Sequence, residues 1–304
     1  MKLKKKIIPL IAVVAVLAVI PIISSYRDND KDQALEKVMM EALEMVHYQP
    51  EKIDNGFSEK VFDLYLKRLD YSKKFLLQSD VDEMKKYYDQ LDDEVSHSTY
   101  DFYTFANKRL DSRIQEAQAY YQDILSKPFD FSKDESYETD PDKASFAKSQ
   151  DDLKEQWRKY LKYQVLARVA DAVQAQDKAK EDNDTSFKVR TMDQIESDAR
   201  TRVGKTMDDW FRRLTKLSDN DRFSSYLNTI ANTYDPHTEY FAPKEKENFD
   251  IELSGQLEGI GAQLEEKDGN IKVTHIVPGS ASARQGQLKA GDIIQKVAQG
   301  SADP

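Results

Sequence analysis

Two glycines, Gly259 and Gly261, bracket an isoleucine in the segment LEGIGAQL, residues 257–264. Glycine reaches backbone conformations that other residues avoid, so consecutive N–H groups in such a segment can point at one anion. The chemistry indicated is capture of a negatively charged group by main-chain amides. A plain glycine turn that leads into a buried strand explains the same residues, and the short motif taken alone favours that simpler interpretation.

A second candidate is Ser145-Phe-Ala-Lys148, which has the Ser-x-x-Lys spacing of penicillin-recognising enzymes. Hydrolysis by such a pair needs a serine held against a lysine that burial has deprotonated, together with oxyanion donors. This motif lies in a charged connector, and neither a Lys-Thr-Gly nor a Ser-Asp-Asn element accompanies it. We therefore predict no catalytic residue in this chain.

Metal and redox chemistry find little support in the sequence. The chain has no cysteine, which excludes disulfides, thiolate metal sites and a cysteine nucleophile. Its four histidines are far apart, and no HExxH pair occurs. These are His47, His97, His237 and His275. We predict no metal site and no cofactor.

Composition and charge restrict the class of protein. Of the 304 residues, 33% are charged, 39% are hydrophobic and 10% are aromatic, which is typical of a folded soluble protein with room for two domains. The formal net charge is −10 although four lysines lie within the first six residues. An acidic body of this kind repels nucleic acid, so DNA and RNA are excluded as partners.

The N-terminus has the pattern of an export signal. Four lysines precede residues 7–23, which are apolar apart from two prolines, and polar sequence follows. That length is at the lower limit for a membrane span, and no clear cleavage site follows, so residues 1–26 are either a signal peptide or a signal anchor. The lysines are expected to stay in the cytoplasm while the remaining chain is translocated. We therefore expect a periplasmic protein, anchored to the inner membrane if the segment is retained.

The fold class predicted is mainly α, with a smaller β-rich part at the end. Apolar residues recur at three- and four-residue steps across residues 30–247, which indicates a multi-helix domain. Within it, the polar stretches 127–143 and 178–185 are predicted to be solvated loops. From about residue 250 the pattern changes to two strands joined at Asp268-Gly269-Asn270, a short helix at 281–285 and a strand at 293–297.

Three stretches resemble a known protein family. They are GIGAQL (259–264), VTHIVPGSASARQGQLKAGDIIQKV (273–297) and YDPHTEYFAPKEKENFDIELSGQLEGIG (234–261). The first two resemble the first half of a PDZ domain, and the third is similar to the entry into that domain in the tail-specific, or carboxy-terminal processing, proteases. Residues 30–247, with Trp157 and Trp210, are similar to the N-terminal helical domain of the periplasmic branch of this family, and residues 250–304 to a partial PDZ domain.

The resemblance implies roles for particular residues. It assigns the cradle for a peptide's terminal carboxylate to Gly259, Ile260 and Gly261. The strand that follows would offer an exposed edge to which the peptide adds as a further strand. The residues that the resemblance places along this peptide groove are Leu257, Ala262 and Leu264.

The same resemblance implies a function. The chain is expected to be the N-terminal, substrate-recognition part of a periplasmic serine endopeptidase that binds the C-termini of unfolded or tagged proteins and then processes or degrades them. The family's Ser/Lys peptidase domain is expected beyond residue 304, so this chain alone is expected to be inactive. An adaptor lipoprotein is a further partner that the resemblance implies.

Two alternatives remain open on the sequence. One is a non-catalytic, membrane-tethered peptide-binding or scaffold protein, and the other is a structural helical protein with a small β appendage. The coding sequence after codon 304 distinguishes the protease from these alternatives, since a serine and a lysine in a mixed α/β segment would indicate the protease.

Overall fold

The computed structural model describes residues 28–254, 259–267 and 270–298. Most of these residues are helical, and a small antiparallel sheet lies near the C-terminal end, which confirms the mainly α prediction. The helices are α1 (Asp28–Val46), α2 (Asn55–Leu69), α3 (Gln78–Met84), α4 (Leu91–His97), α5 (Asp101–Leu125), α6 (Gln150–Glu181), α7 (Met192–Lys216), α8 (Asp219–Tyr234), α9 (Pro243–Ser254) and α10 (Ala281–Gln285), with a 3₁₀ turn at Lys85–Tyr87. The strands are β1 (Ala262–Lys267), β2 (Asn270–Ile276) and β3 (Ile293–Ile294).

The chain divides into two compact units between Tyr240 and Phe241. The first unit contains α1 to α8, and the second contains α9, α10 and the three strands. Helix α9 therefore covers the residues around 247–250 where the sequence pattern changes, and a proline at its first position suits a helix start because that N–H needs no partner.

Helices α6, α7 and α8 of the first unit begin at side-chain caps encoded in the sequence. Ser149 accepts a hydrogen bond from the N–H of Asp152 at the start of α6. Thr191 and Gln194 form a reciprocal capping box at the start of α7, and Ser218 forms one with Asp221 at the start of α8. Each cap satisfies helix N–H groups that otherwise have no partner, and such a cap contributes about 1 kcal/mol.

Two hydrophobic clusters form the interior of the first unit, and α5 is common to both. Its N-terminal half supplies Phe102 and Ala106 to a cluster with α1, α2, α4 and α8. Its C-terminal half supplies Ile114, Ala117 and Tyr121 to a cluster with α6 and α7. The helix therefore acts as the shared wall between the two halves of the helical unit.

A buried ion-pair network fixes α3 against α5. The Asp80 carboxylate is fully buried and accepts hydrogen bonds from Arg113 Nε at 2.8 Å, Arg109 Nη1 at 2.8 Å and the N–H of Leu77 at 2.8 Å. Burial raises the pKa of Asp80, but the hydrogen bonds from Arg113 and Leu77 and the charges of Arg113 and Arg109 together outweigh it, so its pKa lies below the ordinary value. Asp80 therefore remains ionised and holds both arginines.

The second unit contains a three-stranded antiparallel sheet in the order β1-β2-β3. β1 and β2 pair from Ala262 with Ile276 to Lys267 with Asn270, with a bulge between Gln263 and Leu264. The predicted turn residues 268 and 269 lie outside the described residues. The Val273 side chain is fully buried, which gives this small unit an interior.

Two predicted boundaries in the chain were wrong. Residues 178–181, predicted to be part of a loop, are the last turn of α6, because lysine, alanine and glutamate are strong helix formers even where every side chain is solvated. The strand predicted at 293–297 contains only two residues, since β3 pairs with β2 only through Ile293 and Ile294.

The predicted N-terminal signal or anchor falls on residues that the structure does not describe. Among the helices that it does describe, none is long and apolar enough to cross a membrane.

Candidate functional site

The segment before β1 contains a glycine, Gly261, whose backbone conformation and surroundings disfavour any residue with a Cβ. Gly261 has φ of +72°, in the left-handed region that residues with a Cβ rarely adopt. A Cβ built on Gly261 would lie 2.0 Å from the Cβ of Ser280. Gly259 differs, because its φ is not in that region and a Cβ there would meet no atom within 4 Å. The two glycines of the motif are therefore not equivalent.

Hydrogen bonds to two carbonyl groups hold this segment against the residues around the start of α10. Gly261 O accepts from the N–H of Val277 at 2.8 Å and from the Ser280 hydroxyl at 3.2 Å. Ile260 O accepts from the N–H of Ser282 at 3.0 Å. The carbonyls of both residues are thus directed into the protein.

The amide groups of the same segment form no such bonds with the described residues. None of the N–H groups of Gly259, Ile260 and Gly261 donates a hydrogen bond to another residue in the described part of the chain. Ile260 has half of its side chain exposed. An external acceptor, such as a carboxylate, is therefore the kind of group that these donors can serve.

Ser280 supports the candidate cradle, and the sequence analysis did not assign it this role. Its hydroxyl donates to Gly261 O and accepts from the N–H of Ala283, so it caps α10 and ties that helix to the candidate cradle. The signal was present in the sequence Pro278-Gly279-Ser280, which places a capping residue directly before a short helix.

The strand that follows the cradle lies at an edge of the sheet. β1 pairs with β2 along one side and, in the sheet that the described residues form, has no strand on its other side. Ala262 begins this strand and is half-buried, whereas the Leu264 side chain is 48% exposed. The structure thus places five of the six predicted site residues in one segment that leads into an edge strand. The sixth, Leu257, lies outside the described residues.

The alternative chemistries receive no geometric support. Ser145 and Lys148 are both exposed, and the N–H of Lys148 donates to the Asp152 carboxylate at the start of α6. In the part of the chain that is described, no group of three or more histidine or carboxylate side chains is arranged to hold a metal ion.

Comparison with known proteins decides the family. Residues 39–244 match the family model for the tail specific protease N-terminal domain, and residues 249–302 match the model for the PDZ domain. The chain belongs to the tail-specific protease family. It is 30% identical over 280 residues to the tail-specific protease of Haemophilus influenzae, an alignment that covers 90% of this chain and 37% of that relative.

Two further relatives match shorter stretches. The carboxy-terminal processing protease CtpA of Bacillus subtilis is 40% identical over 68 residues, which is 22% of this chain and 14% of the relative. A probable CtpA-like serine protease of Staphylococcus aureus is 32% identical over 84 residues, or 27% of this chain and 17% of the relative. The chain thus spans little more than a third of the length of the Haemophilus influenzae relative.

Proposed function

We propose that this chain is the N-terminal, substrate-recognition part of a periplasmic serine endopeptidase, and that its PDZ domain binds the C-termini of the proteins that the enzyme processes or degrades. The observation that carries the proposal is the segment before β1. There the carbonyls of Ile260 and Gly261 are bound within the protein, while the amides have no acceptor among the described residues.

The proposed binding mode uses main-chain groups for affinity and two apolar side chains for selectivity. A peptide's terminal carboxylate accepts hydrogen bonds from the amides of Gly259, Ile260 and Gly261. The preceding peptide residues pair with the open side of β1 as an additional strand, which needs little sequence complementarity. Ile260 and Leu264, both about half exposed, then contact the apolar side chain at or near the peptide's end.

Hydrolysis itself is proposed for a Ser/Lys peptidase part of the same protein. The names of two relatives describe processing of carboxy termini and a serine protease. The apolar segment at residues 7–23, which follows four lysines, supports export of the protein and a periplasmic location. An adaptor lipoprotein and a membrane anchor belong to the same proposal.

The test compares free and blocked C-termini. A fluorescent, unstructured peptide with an apolar last residue is prepared with a free carboxylate and as its amide, and binding to this chain is measured by anisotropy. Hydrogen bonds to a charged group are worth about 1.5–3 kcal/mol, so amidation should weaken binding by about 10-fold to 100-fold. In the full-length protein, the amidated substrate should also be cleaved more slowly. Equal affinity of the two peptides would refute the proposal.

Leu264→Glu provides the matched test of the groove. A carboxylate at this position should repel the peptide's end and remove apolar contact, so we expect at least a 10-fold loss of affinity. Ile293→Glu is the control, because Ile293 lies in the opposite edge strand β3 and is 53% exposed, close to the 48% of Leu264. Equal losses for both variants would show that Leu264 has no specific role in binding.

A further inference from the structure

The helical unit contains a cavity of about 220 Å³ that is separate from the PDZ domain. Its walls come from the loop between α2 and α3, from the connector between α5 and α6, and from the first turns of α6. Tyr137, Trp157 and Tyr160 give it aromatic walls, and the lysines that line it are Lys73, Lys74 and Lys159. The volume is below the range of about 300–1,000 Å³ that is typical of drug-sized ligands, so the cavity suits a smaller molecule.

Lys74 is held in place at both its backbone and its side chain. Its N–H donates to Asp70 Oδ1 at 2.9 Å, and its carbonyl accepts from Trp157 Nε1 at 2.7 Å. The Nζ atom donates to the Tyr137 hydroxyl at 2.9 Å and lies 3.5 Å from the centre of the Tyr160 ring. The ammonium group is therefore positioned at the cavity wall rather than free in solvent.

Among the described residues, this ammonium group has no counter-charge in direct contact. No carboxylate among the described residues forms an ion pair with Lys74 Nζ, whose polar and aromatic contacts are neutral. The nearby Asp70 carboxylate already accepts hydrogen bonds from the N–H groups of Lys74, Phe75 and Leu76. Burial lowers the pKa of Lys74 to about 8, and the charge of the nearby Asp70 only partly offsets this effect.

The cavity is locally positive in an acidic protein. Its lining contains three lysines and one carboxylate, Glu138, whereas the whole chain has a formal net charge of −10. The hydroxyls of Ser72, Ser136 and Ser145 and the amide of Gln156 also line it and can donate hydrogen bonds. Ser145 therefore lines a cavity, which its Ser-x-x-Lys spacing did not indicate.

We propose that this cavity binds a small organic carboxylate, whose negative group pairs with Lys74 Nζ and whose flat apolar body packs against the partly exposed rings of Tyr137 and Tyr160. A carboxylate supplies a counter-charge in direct contact with the ammonium group. An apolar body covers the aromatic walls of the cavity, whereas an inorganic anion would leave these walls in contact with water. The acid is either a free molecule of the size of one aromatic ring or the end residue of a chain.

Binding has a defined dependence on pH. The ionisable groups around Lys74 are Asp70 and Lys73 from its own loop, Tyr137 and Glu138 from the connector, and Lys159 and Tyr160 from α6. Burial raises the pKa of Tyr137 to about 12 and also raises that of Tyr160, so both stay neutral near pH 8. A bound anion favours the charged lysine, and affinity should therefore fall as pH rises above 8.

The test uses benzoate as the probe and benzamide as its neutral isostere. The chain has two tryptophans, so the indole N–H signal of Trp157, which donates to the Lys74 carbonyl, can be followed by NMR during each titration. Benzoate should shift this signal at pH 7. Benzamide should bind at least 10-fold more weakly, and so should benzoate at pH 9.5.

Lys74→Met keeps the aliphatic stem of the side chain and removes its charge. We expect at least a 10-fold loss of benzoate affinity, while Lys148→Met, an exposed residue of the same connector that does not line the cavity, should bind as the unmodified chain does. If Lys74→Met does not fold, the proposal is tested on the unmodified protein alone. The affinity of benzoate is then compared with that of benzamide, and the affinity of benzoate at pH 7 with that at pH 9.5.

A peptide that ends in phenylalanine, titrated in parallel, identifies the source of the acid. Lys74-dependent binding of benzoate or of the peptide supports the proposal. The proposal is overturned if neither probe binds, if benzoate and benzamide bind equally, or if Lys74→Met binds benzoate with unchanged affinity. None of these outcomes affects the proposed capture of C-termini by the PDZ domain, since that site contains none of the cavity residues.

Discussion

Replacement of Gly261 by alanine tests the physical basis of the candidate cradle. The left-handed φ of +72° costs a residue with a Cβ about 1–2 kcal/mol. The new Cβ would lie 2.0 Å from the Cβ of Ser280, so Ser280 must move. Its hydroxyl then loses bonds to Gly261 O and to the N–H of Ala283, each worth about 0.5–1.5 kcal/mol. The combined loss is about 2–5 kcal/mol by these values.

Hydrogen exchange measures this loss locally. Because about 1.4 kcal/mol corresponds to a tenfold change in an equilibrium constant, the amides of β1 and β2 should exchange at least about 30-fold faster in Gly261→Ala. Peptide affinity should fall as well, because Gly261 directly precedes the edge strand β1. The amides of α6 should be unchanged, because they belong to the other unit.

Gly259→Ala is the control within the same segment. Its φ is ordinary and its new Cβ meets no atom within 4 Å, so exchange in β1 and β2 should stay within about twofold of the original chain, as for a surface substitution. The reasoning is wrong if Gly261→Ala retains full protection of β1, or if the two alanine variants lose protection equally.

Two further predictions concern the helical unit. Burial raises the pKa of Glu36 to about 8 from the ordinary 4.5, so its folded form keeps a proton that the unfolded chain releases, and stability should fall by about 1.4 kcal/mol per pH unit between these values. Urea unfolding at pH 5.5 and 7.5 should show that the unfolding free energy depends less on pH in Glu36→Gln than in the unmodified chain. The exposed control Glu41→Gln should keep the original pH dependence. An identical pH dependence in the two variants would contradict the prediction. Asp80→Asn leaves Arg113 without its buried partner and should lower the free energy of unfolding by about 3–5 kcal/mol. The control Asp82→Asn removes an exposed carboxylate and should change the free energy of unfolding by less than about 0.5 kcal/mol. Similar losses in the two variants would contradict this prediction.

The helical unit was readable from the sequence because its signals are local. Apolar periodicity and caps such as Ser149, Thr191 and Ser218 act over a few residues. The end of α6 was not readable, since a solvated last turn and a polar loop have similar compositions. The strand at β3 was predicted too long for a different reason, because a strand extends only as far as its pairing with the neighbouring strand does.

Side-chain partners that are distant in sequence were also beyond prediction. The close contact that disfavours a larger residue at Gly261 involves Ser280, which follows β2 in the chain. The sequence around either residue gives no sign of this contact.

The most direct measurement of the central claim is an NMR titration that follows the amides of Gly259, Ile260 and Gly261. If these N–H groups bind a chain end, a peptide with a free C-terminus should move all three proton signals downfield, and the amidated peptide should not. Equal shifts with both peptides, or binding of the free peptide that leaves the three signals in place, would contradict the account.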